Sequence, residues 1–420
     1  MLKREDNERV TRVGPGTAMG QVMRSYWMPV LLSEELPRPD GDPLRVRLLG
    51  EDLVAFRDSN GRVGLLAHNC PHRGASLFFG RNEESGLRCV YHGWKFDVDG
   101  TCVDMPNEPA ESDFKHKVRA TAYQTTEMGG TIWAWMGEPG SAPRLPDMEW
   151  MRGPSFISRT LQDCNWLQAL EGGIDTSHSS FLHRRLDTAG GSLGSQSYRA
   201  RSTAPKLEVL TTEYGFRYAG VRHLPGDGKN YVRVYQFVMP FSQMRAYEGY
   251  LPNCPVVQGH MWVPIDDEQC WVYNWMYRRS GEPLLPEEIE IEERETGRSK
   301  ADLIPGTHRL KQNRSNDYLI DRQAQRTQSY TGIKGVNTQD VAVQESMGPI
   351  YDRTREHLGT ADLAIITARR LLLEACDDVA QGRAPRGSRL DSLQVRAAEM
   401  VIPQDRPWAE SMQTELVAQW

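Results

Sequence analysis

The alternation of apolar and polar residues changes character along the chain, and the changes predict its parts. "GTAMGQVMRSYWMPVLLSEEL" (16–36) predicts a short amphipathic helix that leaves into an extended segment. From Leu44 to Trp135 the pattern is one of short alternating runs, among them "LRVRLLGEDLVAFRD" and "SNGRVGLLAHN". The "SNG" and "DVDG" stretches suit hairpin turns, so this section predicts an all-β module. "GEPGSAPRLPD" (137–147) is dense in Pro and Gly and predicts a boundary. "DCNWLQALEGGIDTSHSSFLH" (163–183) loses the alternation and predicts a helix, which Gly172 and Gly173 weaken. Extended runs at 206–219, 231–241 and 259–279, the last with a turn at "DDEQ", predict a meandering antiparallel sheet. The acidic stretch 281–300, poor in aromatic residues, predicts a solvated, mobile loop. The C-terminal third predicts helix. In "GTADLAIITARRLLLEACDDVAQG", Thr360 is the expected N-cap and Gly382 the stop, and Ile365, Ala368, Leu372, Cys376 and Val379 share one face.

These runs add up to an α+β fold: a small all-β domain, then a larger domain whose antiparallel sheet is backed by helices. Residues 1–26 are expected as a helical segment packing on the larger domain, 27–140 as the β domain, and 141–420 as the larger domain. A chain of 420 residues is long enough for two cores. Its net charge of −6 gives no reason to expect nucleic acid or an anionic membrane as partner. There is no apolar run of 18 residues, and "MLKREDNERV" is charged where a signal peptide is apolar, so the cytoplasm is the expected location. Seven cysteines, an odd number thinly spread, make no disulfide framework. Most read as small buried apolar residues.

Two of them differ. "NCPHRGASLFFG" and "CVYHGWKFDVDG" place Cys70 two before His72 and Cys89 three before His92. Two thiolates with two imidazoles suit tetrahedral zinc or a Rieske [2Fe–2S] cluster, cysteines on one iron and histidines on the other. In both loops Cys precedes His, so each loop must serve both irons, and this order favours the cluster over zinc.

A cluster carries electrons to something, and "IDTSHSSFLH" (174–183) offers a destination. Asp175 and His178 lie three apart, on one face of a helix. His178 and His183 are five apart, roughly 140° round a regular helix, so the segment must bend, bulge or leave the helix for both to meet one ion. Two His and a carboxylate on one face suit non-haem Fe(II), the other face staying open for O2 and substrate. Asp340, Glu345 and Asp352 are candidates for the carboxylate. Asp340 is favoured, in the first turn of a helix that Thr338 would cap, with Gln344 one turn on along the same face.

"CPHRGASL", "YHGWKFDVDG", "NWLQALEGGIDTSHSSFLH" and "TQDVAVQESMGPIYDRTREHLG" resemble the α subunits of Rieske non-haem iron oxygenases, and within them the phthalate-dioxygenase-like branch, which includes aromatic O-demethylases. The resemblance implies Cys70, His72, Cys89 and His92 on the cluster, and His178, His183 and Asp340 on a mononuclear iron. It implies that Asp175 links His178 to His92 of a neighbouring subunit, that the catalytic domain is a helix-grip sheet, and that the oligomer is a trimer or stacked trimers. It also implies oxidation of an aromatic carboxylate with O2 and NADH. Electrons would come through a separate flavin- and ferredoxin-type reductase, with or without a further ferredoxin, because no dinucleotide-binding fingerprint is apparent. A Rieske electron carrier without oxygenase activity is the competing reading, and it has no use for His178, His183 or Asp340.

A buried carboxylate needs a cation, ideally the fork of an arginine. Arg201, Arg222, Arg233 and Arg245 lie in or beside the predicted sheet, and Arg245 is the one expected to face inward. Trp133, Trp135, Trp262, Trp271 and Trp275 would suit a flat ring. O-demethylation or monohydroxylation of a lignin-type methoxy-aromatic acid is favoured slightly over cis-dihydroxylation.

Overall fold

A computed structural model describes residues 1–109, 111–187, 195–251 and 254–419. The chain forms two compact units, Val13–Leu145 and Met1–Arg12 together with Pro146–Trp420. The N-terminal expectation therefore needs correcting. Helix α1 (Arg4–Thr11) belongs to the second unit, but residues 13–26 belong to the first. Asn7 explains the first half of this: its amide nitrogen donates to Tyr351 O at 3.2 Å and its side-chain oxygen accepts from Arg353 at 3.1 Å.

The first unit is built from short antiparallel strands in three sheets of three, three and four strands. Glu51–Arg57 pairs with Leu44–Leu48 on one side and Val63–Ala67 on the other, as the alternating runs predict. Its core gathers Phe56, Leu66, Leu77, Leu87, Trp94 and Phe96 around Cys70 and Cys89.

The second unit is an eight-stranded antiparallel sheet covered by helices. Its strands are β1 (Phe156–Gln162), β2 (Lys206–Thr212), β3 (Gly215–Leu224), β4 (Lys229–Val238), β5 (Ser242–Tyr247), β6 (Val256–Pro264), β7 (Cys270–Arg278) and β8 (Ala398–Pro403). They run in the order β1-β7-β6-β5-β4-β3-β2, and β8 pairs with the first half of β4 while β5 pairs with its end. Strand β8 is a correction to the helical reading of the C-terminal third: "AEMVIP" is too short to show a period, and β4 supplies its hydrogen bonds.

Four helices matter for the site: α2 (Trp166–Ile174), α3 (Pro286–Thr296), α4 (Val336–Ser346) and α5 (Leu363–Ala380). Helix α3 lies where the mobile loop was expected. Pro286 opens it, the Glu288 carboxylate accepts from Leu285 N at 2.8 Å, and Gly297 closes it at φ 76°. Two of its acids are buried and paired, Glu288 with Arg278 at 2.7 Å and Glu292 with Arg298 and Tyr250, while Glu287, Glu290 and Glu295 stay exposed. Buried pairing, which charge patterning along the chain does not reveal, overrides the composition. Helix α5 buries Ile365, Ala368, Leu372 and Cys376 as expected, with Val379 only half-buried, and it starts at Leu363 after Asp362 rather than at Thr360.

The glycine pair in α2 has a packing reason. A Cβ on Gly173 would stand 2.1 Å from the Trp262 ring, and one on Gly172 would stand 2.1 Å from the Gln344 side chain. The helix thus lies close against β6 and α4. Glu171 fixes it from the other side, accepting from Arg353 at 2.9 Å and Arg369 at 2.6 Å, all three buried. No helix among the described residues is long and apolar enough to cross a membrane.

Candidate active site

The two Cys–His loops of the first unit are built alike. Cys70 N donates to Ala75 O at 2.8 Å and Gly74 N to Cys70 O at 2.9 Å; Cys89 N donates to Trp94 O at 2.8 Å and Gly93 N to Cys89 O at 2.9 Å. Gly74 and Gly93 have φ of 75° and 83°, the left-handed region that lets each loop curl back on its cysteine. The loops bring His72 and His92 to a ring separation of 4.4 Å, with Trp94 stacked on His72 at 4.2 Å. His72 Nδ1 is buried without a hydrogen-bond partner. Burial, with Cys89 alongside, pushes the Cys70 thiol up to about 11. A thiol held protonated and a buried imidazole nitrogen without a partner suit ligands that a metal's positive charge would deprotonate and engage. Two sulfurs and two imidazoles on paired loops fit a Rieske cluster.

In the second unit the helix ends before the metal residues begin. Ile174 is the last helical residue of α2, and Asp175 is its extended C-cap. Asp175 and His178 therefore do not share a helix face. Instead Asp175 Oδ1 accepts from Ser177 N and Ser177 Oγ, both at 2.7 Å, and Oδ2 accepts from His178 N at 3.2 Å, a side-chain turn. A short 3-10 turn over His178–Ser180 then leads through Phe181 to His183. This is the expected departure from the helix, placed earlier than the spacing suggested.

His178 Nε2, His183 Nε2 and Asp340 Oδ1 converge: 3.2 Å between the two nitrogens, 3.6 Å from His178 to the carboxylate and 3.4 Å from His183 to it. The point equidistant from all three lies about 2.0 Å from each, the bond length of a first-row metal to nitrogen or oxygen. The proton arrangement makes the same case. His183 Nδ1 lies 2.8 Å from Gln339 Oε1, and Gln339 Nε2 donates to Ile333 O at 2.8 Å. The amide oxygen therefore faces the ring, the His183 proton sits on Nδ1, and Nε2 presents a lone pair. Asp175 Oδ2 stands 3.7 Å from His178 Nδ1 and favours the proton there as well. Two lone pairs and a carboxylate oxygen thus face one point with no donor among them, a set that a cation satisfies. The charges agree: burial opposes ionisation of Asp340, yet His183, His178 and Arg245 hold its carboxyl below the usual range. Burial would lower His178, yet Asp175 and Asp340 raise it, which marks the negative field of two carboxylates that a bound cation would take up in place of a proton.

Asp340 itself sits in the second turn of α4, not the first. Gly335 at φ 89° is the N-cap, and Thr338 is buried inside the helix. Glycine takes the left-handed cap that threonine would not. The other candidate carboxylates are engaged elsewhere: Glu345 accepts from Tyr318 OH and from Asp163 N, and Asp352 from Thr354 in an exposed turn. Gln344 accepts from Gln162 Nε2 at 2.7 Å and so buttresses α4 against β1.

The three ligand residues line a cavity of about 860 Å³ in the second unit. Of the four arginines singled out, Arg222 is fully buried and donates to Ser202 O and Thr176 O, and Arg201 is exposed on its helix. Arg233 lines the cavity but donates to Ala246 O and lies 3.4 Å from Glu399. Arg245 also lines it, oriented by Gln258 Oε1 at 3.2 Å, with no salt bridge among the described residues. Burial and the nearby Arg233 bring its guanidinium down to about 10 against the pull of Glu292, so it is charged at neutral pH with no carboxylate in contact among the described residues. Of the five tryptophans only Trp262 lines the cavity; Trp275 stacks on Trp150 and Trp271 on Arg159. Gln339 and His260, both on the cavity wall, escaped the sequence reading. Gln339 immediately precedes Asp340. His260 stands at the centre of Gln258, His260 and Trp262, large polar or aromatic residues two apart on an otherwise apolar strand, and that period was the available signal.

A small β unit with paired Cys–His loops, joined to a helix-covered antiparallel sheet with a two-His, one-carboxylate site, defines an iron–sulfur and mononuclear-iron oxidoreductase. Comparison with known proteins gives the family. The description "Rieske [2Fe-2S] domain" matches residues 26–122, and "LigXa C-terminal domain like" matches 134–419. The phthalate 4,5-dioxygenase oxygenase subunit of Pseudomonas putida is 39% identical over 423 residues, covering 98% of this chain and 94% of its own. The 3-chlorobenzoate-3,4-dioxygenase oxygenase subunit of Comamonas testosteroni is 39% identical over 403 residues, 89% of each chain. The 5,5'-dehydrodivanillate O-demethylase oxygenase subunit of a Sphingobium species is 33% identical, covering 92% of this chain and 83% of its own. The terminal oxygenase of carbazole 1,9a-dioxygenase from Nocardioides aromaticivorans shares the fold, with a TM-score of 0.58 at 20% identity over 91% of this chain and 98% of that one. The chain belongs to the Rieske non-haem iron oxygenases as an oxygenase subunit, a family with a [2Fe–2S] cluster and a mononuclear iron. The reading as a mere electron carrier is set aside.

Proposed function

We propose that this subunit oxidises an aromatic carboxylate in the 860 Å³ cavity, using O2 and electrons from NADH delivered by a separate flavin- and ferredoxin-type reductase. The observation that carries the reading is the meeting of His178, His183 and Asp340, three acceptors and no donor, on the wall of a cavity that also holds an arginine without a salt bridge among the described residues. On this reading Cys70, His72, Cys89 and His92 hold the cluster, and His178, His183 and Asp340 hold Fe(II). The cluster supplies single electrons, and the iron supplies O2 activation beside the substrate. The protein's own residues do the rest. Gln339 and Asp175 keep the imidazole protons on the outer nitrogens. Arg245, held by Gln258, orients the substrate by its carboxylate. Relatives named for phthalate and 3-chlorobenzoate support an acidic ring, and the one named for dehydrodivanillate supports O-demethylation.

Asp175 is the proposed link for electrons arriving from His92 of a neighbouring subunit in a trimer. What supports it is a carboxylate that His178 and Ser177 hold ionised despite burial, placed directly behind the iron-facing imidazole. The proposed location is the cytoplasm, where NADH and a reductase of this kind would be available.

The test is a turnover screen of the holoenzyme, loaded with about three irons per chain, with a compatible reductase, NADH and a panel of phthalates, methoxybenzoates and vanillate-type biaryls. Formaldehyde release marks demethylation and a cis-diol marks dihydroxylation; no product from the whole panel, with O2 uptake at background, overturns the substrate class. Asp175→Asn, with both metals retained, is expected to stop reduction of the iron by the cluster. Undiminished turnover in that variant removes the bridging role.

A further inference from the structure

Resting on the aromatic-acid reading, we propose that His260 selects a hydroxyl group on the substrate ring, so that this cavity takes a hydroxylated aromatic acid. The sheet register sets the geometry. Arg245 on β5 is paired with Gln258 on β6, and His260, two residues on, lies on the same face of the sheet. Arg245 and His260 are diagonal neighbours, about 7 Å apart at Cβ, a span that one substituted ring can bridge.

The proton on His260 is fixed by its other neighbour. Asn274, opposite His260 on β7, donates from Nδ2 to Val272 O at 3.1 Å, which sets the orientation of its amide. Its Oδ1 therefore faces His260 Nδ1 at 2.6 Å, and an amide oxygen only accepts. The imidazole hydrogen must sit on Nδ1, and Nε2 carries a lone pair. That nitrogen makes no hydrogen bond to any described residue. His260 is 4% exposed, and the surface it keeps is on the cavity. Burial, reinforced by Arg245 and Arg298, holds the imidazole well below its usual range, so Nε2 remains an acceptor at working pH.

An acceptor buried on a cavity wall discriminates by what it leaves unsatisfied. A second carboxylate oxygen or a chlorine brings no donor to it, and a ring C–H is no substitute for one. A phenolic hydroxyl brings one donor, and its ring can hold a carboxylate towards Arg245 at the same time. His260 thus does for the ring substituent what Arg245 does for the acid: one excludes rings without a donor, the other rings without an anion.

The experiment is calorimetric binding to the anaerobic, iron- and cluster-loaded protein of benzoate, 3-hydroxybenzoate and 4-hydroxybenzoate. The native protein is expected to bind at least one hydroxy acid roughly tenfold more tightly than benzoate, the scale of one well-placed hydrogen bond. His260→Leu should bring that ratio close to one. Should that variant fold poorly, His260→Phe is the second arm: it keeps a flat ring at the position, removes the acceptor nitrogen and should lower the same ratio. Equal binding of all three acids by the native protein, or a ratio that survives both substitutions, overturns the role of His260 and leaves the aromatic-acid reading standing. Binding of none of the three overturns both.

Discussion

At His183 one hydrogen bond decides which nitrogen faces the cavity, and the residue that makes it, Gln339, never touches the ion position. Replacing Gln339 by Leu frees the imidazole to take either tautomer and to rotate. Iron affinity is expected to fall by roughly 10- to 100-fold, the range typical for the loss of such a partner. Competition against a chelator measures this, and the visible spectrum of the cluster should not change. The ligands themselves were legible because their spacing and residue types are set by the chemistry of a small ion. Gln339 was not, because its part depends on Ile333 O turning its amide the right way round, a contact between a loop and a helix that one sequence does not display.

Among the elements, α2 carries the site by where it stops and by how closely it approaches its neighbours. Gly173→Ala sets a methyl group 2.1 Å from the Trp262 ring, which is itself buried. The ring has little room to retreat, so α2 must move; a cost of about 1–3 kcal/mol is expected, read as a lower melting temperature, together with reduced iron content. Two glycines inside a helix looked like weakness in the sequence and are in fact its means of packing. The hairpins of the first unit and the strands of the sheet were readable because alternation reports burial directly. Helix α3 was not, because two of the partners of its buried glutamates, Arg278 and Tyr250, come from the sheet side of the chain, and Arg298, just past the helix, turns back onto Glu292 only in the fold. The same holds for β8, which is a strand only because β4 offers it a free edge.

For the whole molecule, the buried cluster of Glu171 with Arg353 and Arg369 ties α2 to α5 and, through Asn7, to α1. Burial alone would raise the Glu171 carboxyl, but the two guanidiniums hold it below its ordinary value of 4.5. A carboxyl depressed in the folded state adds stability that is complete above pH 4.5 and is lost as the pH falls through the depressed value. Melting temperature should therefore drop steeply with acid below about pH 4.5. Glu171→Gln should melt lower at neutral pH and show a shallower acid dependence, which a pH series by calorimetry tests. That the chain has two parts could be read from its length and from the Pro- and Gly-rich stretch before residue 147. That the N-terminal residues pack on the second part was expected; that they do so only as far as residue 12 could not be read, since the partners that hold them, among them Tyr351, Arg353 and Asp377, lie far along the chain.

The membership of α1 in the catalytic unit makes the cluster-bearing unit, in topological terms, an insertion: the chain begins one unit, builds the other over residues 13–145, and returns at 146 to finish the first. Exchange of electron-carrying modules between relatives is then a matter of two junctions rather than one. A chimera cut at both 12/13 and 145/146 keeps α1 with its own Arg353, whereas a single cut near residue 145 pairs a foreign first helix with this chain's buried arginine. Recombination between homologous genes at the two junctions would be the productive kind.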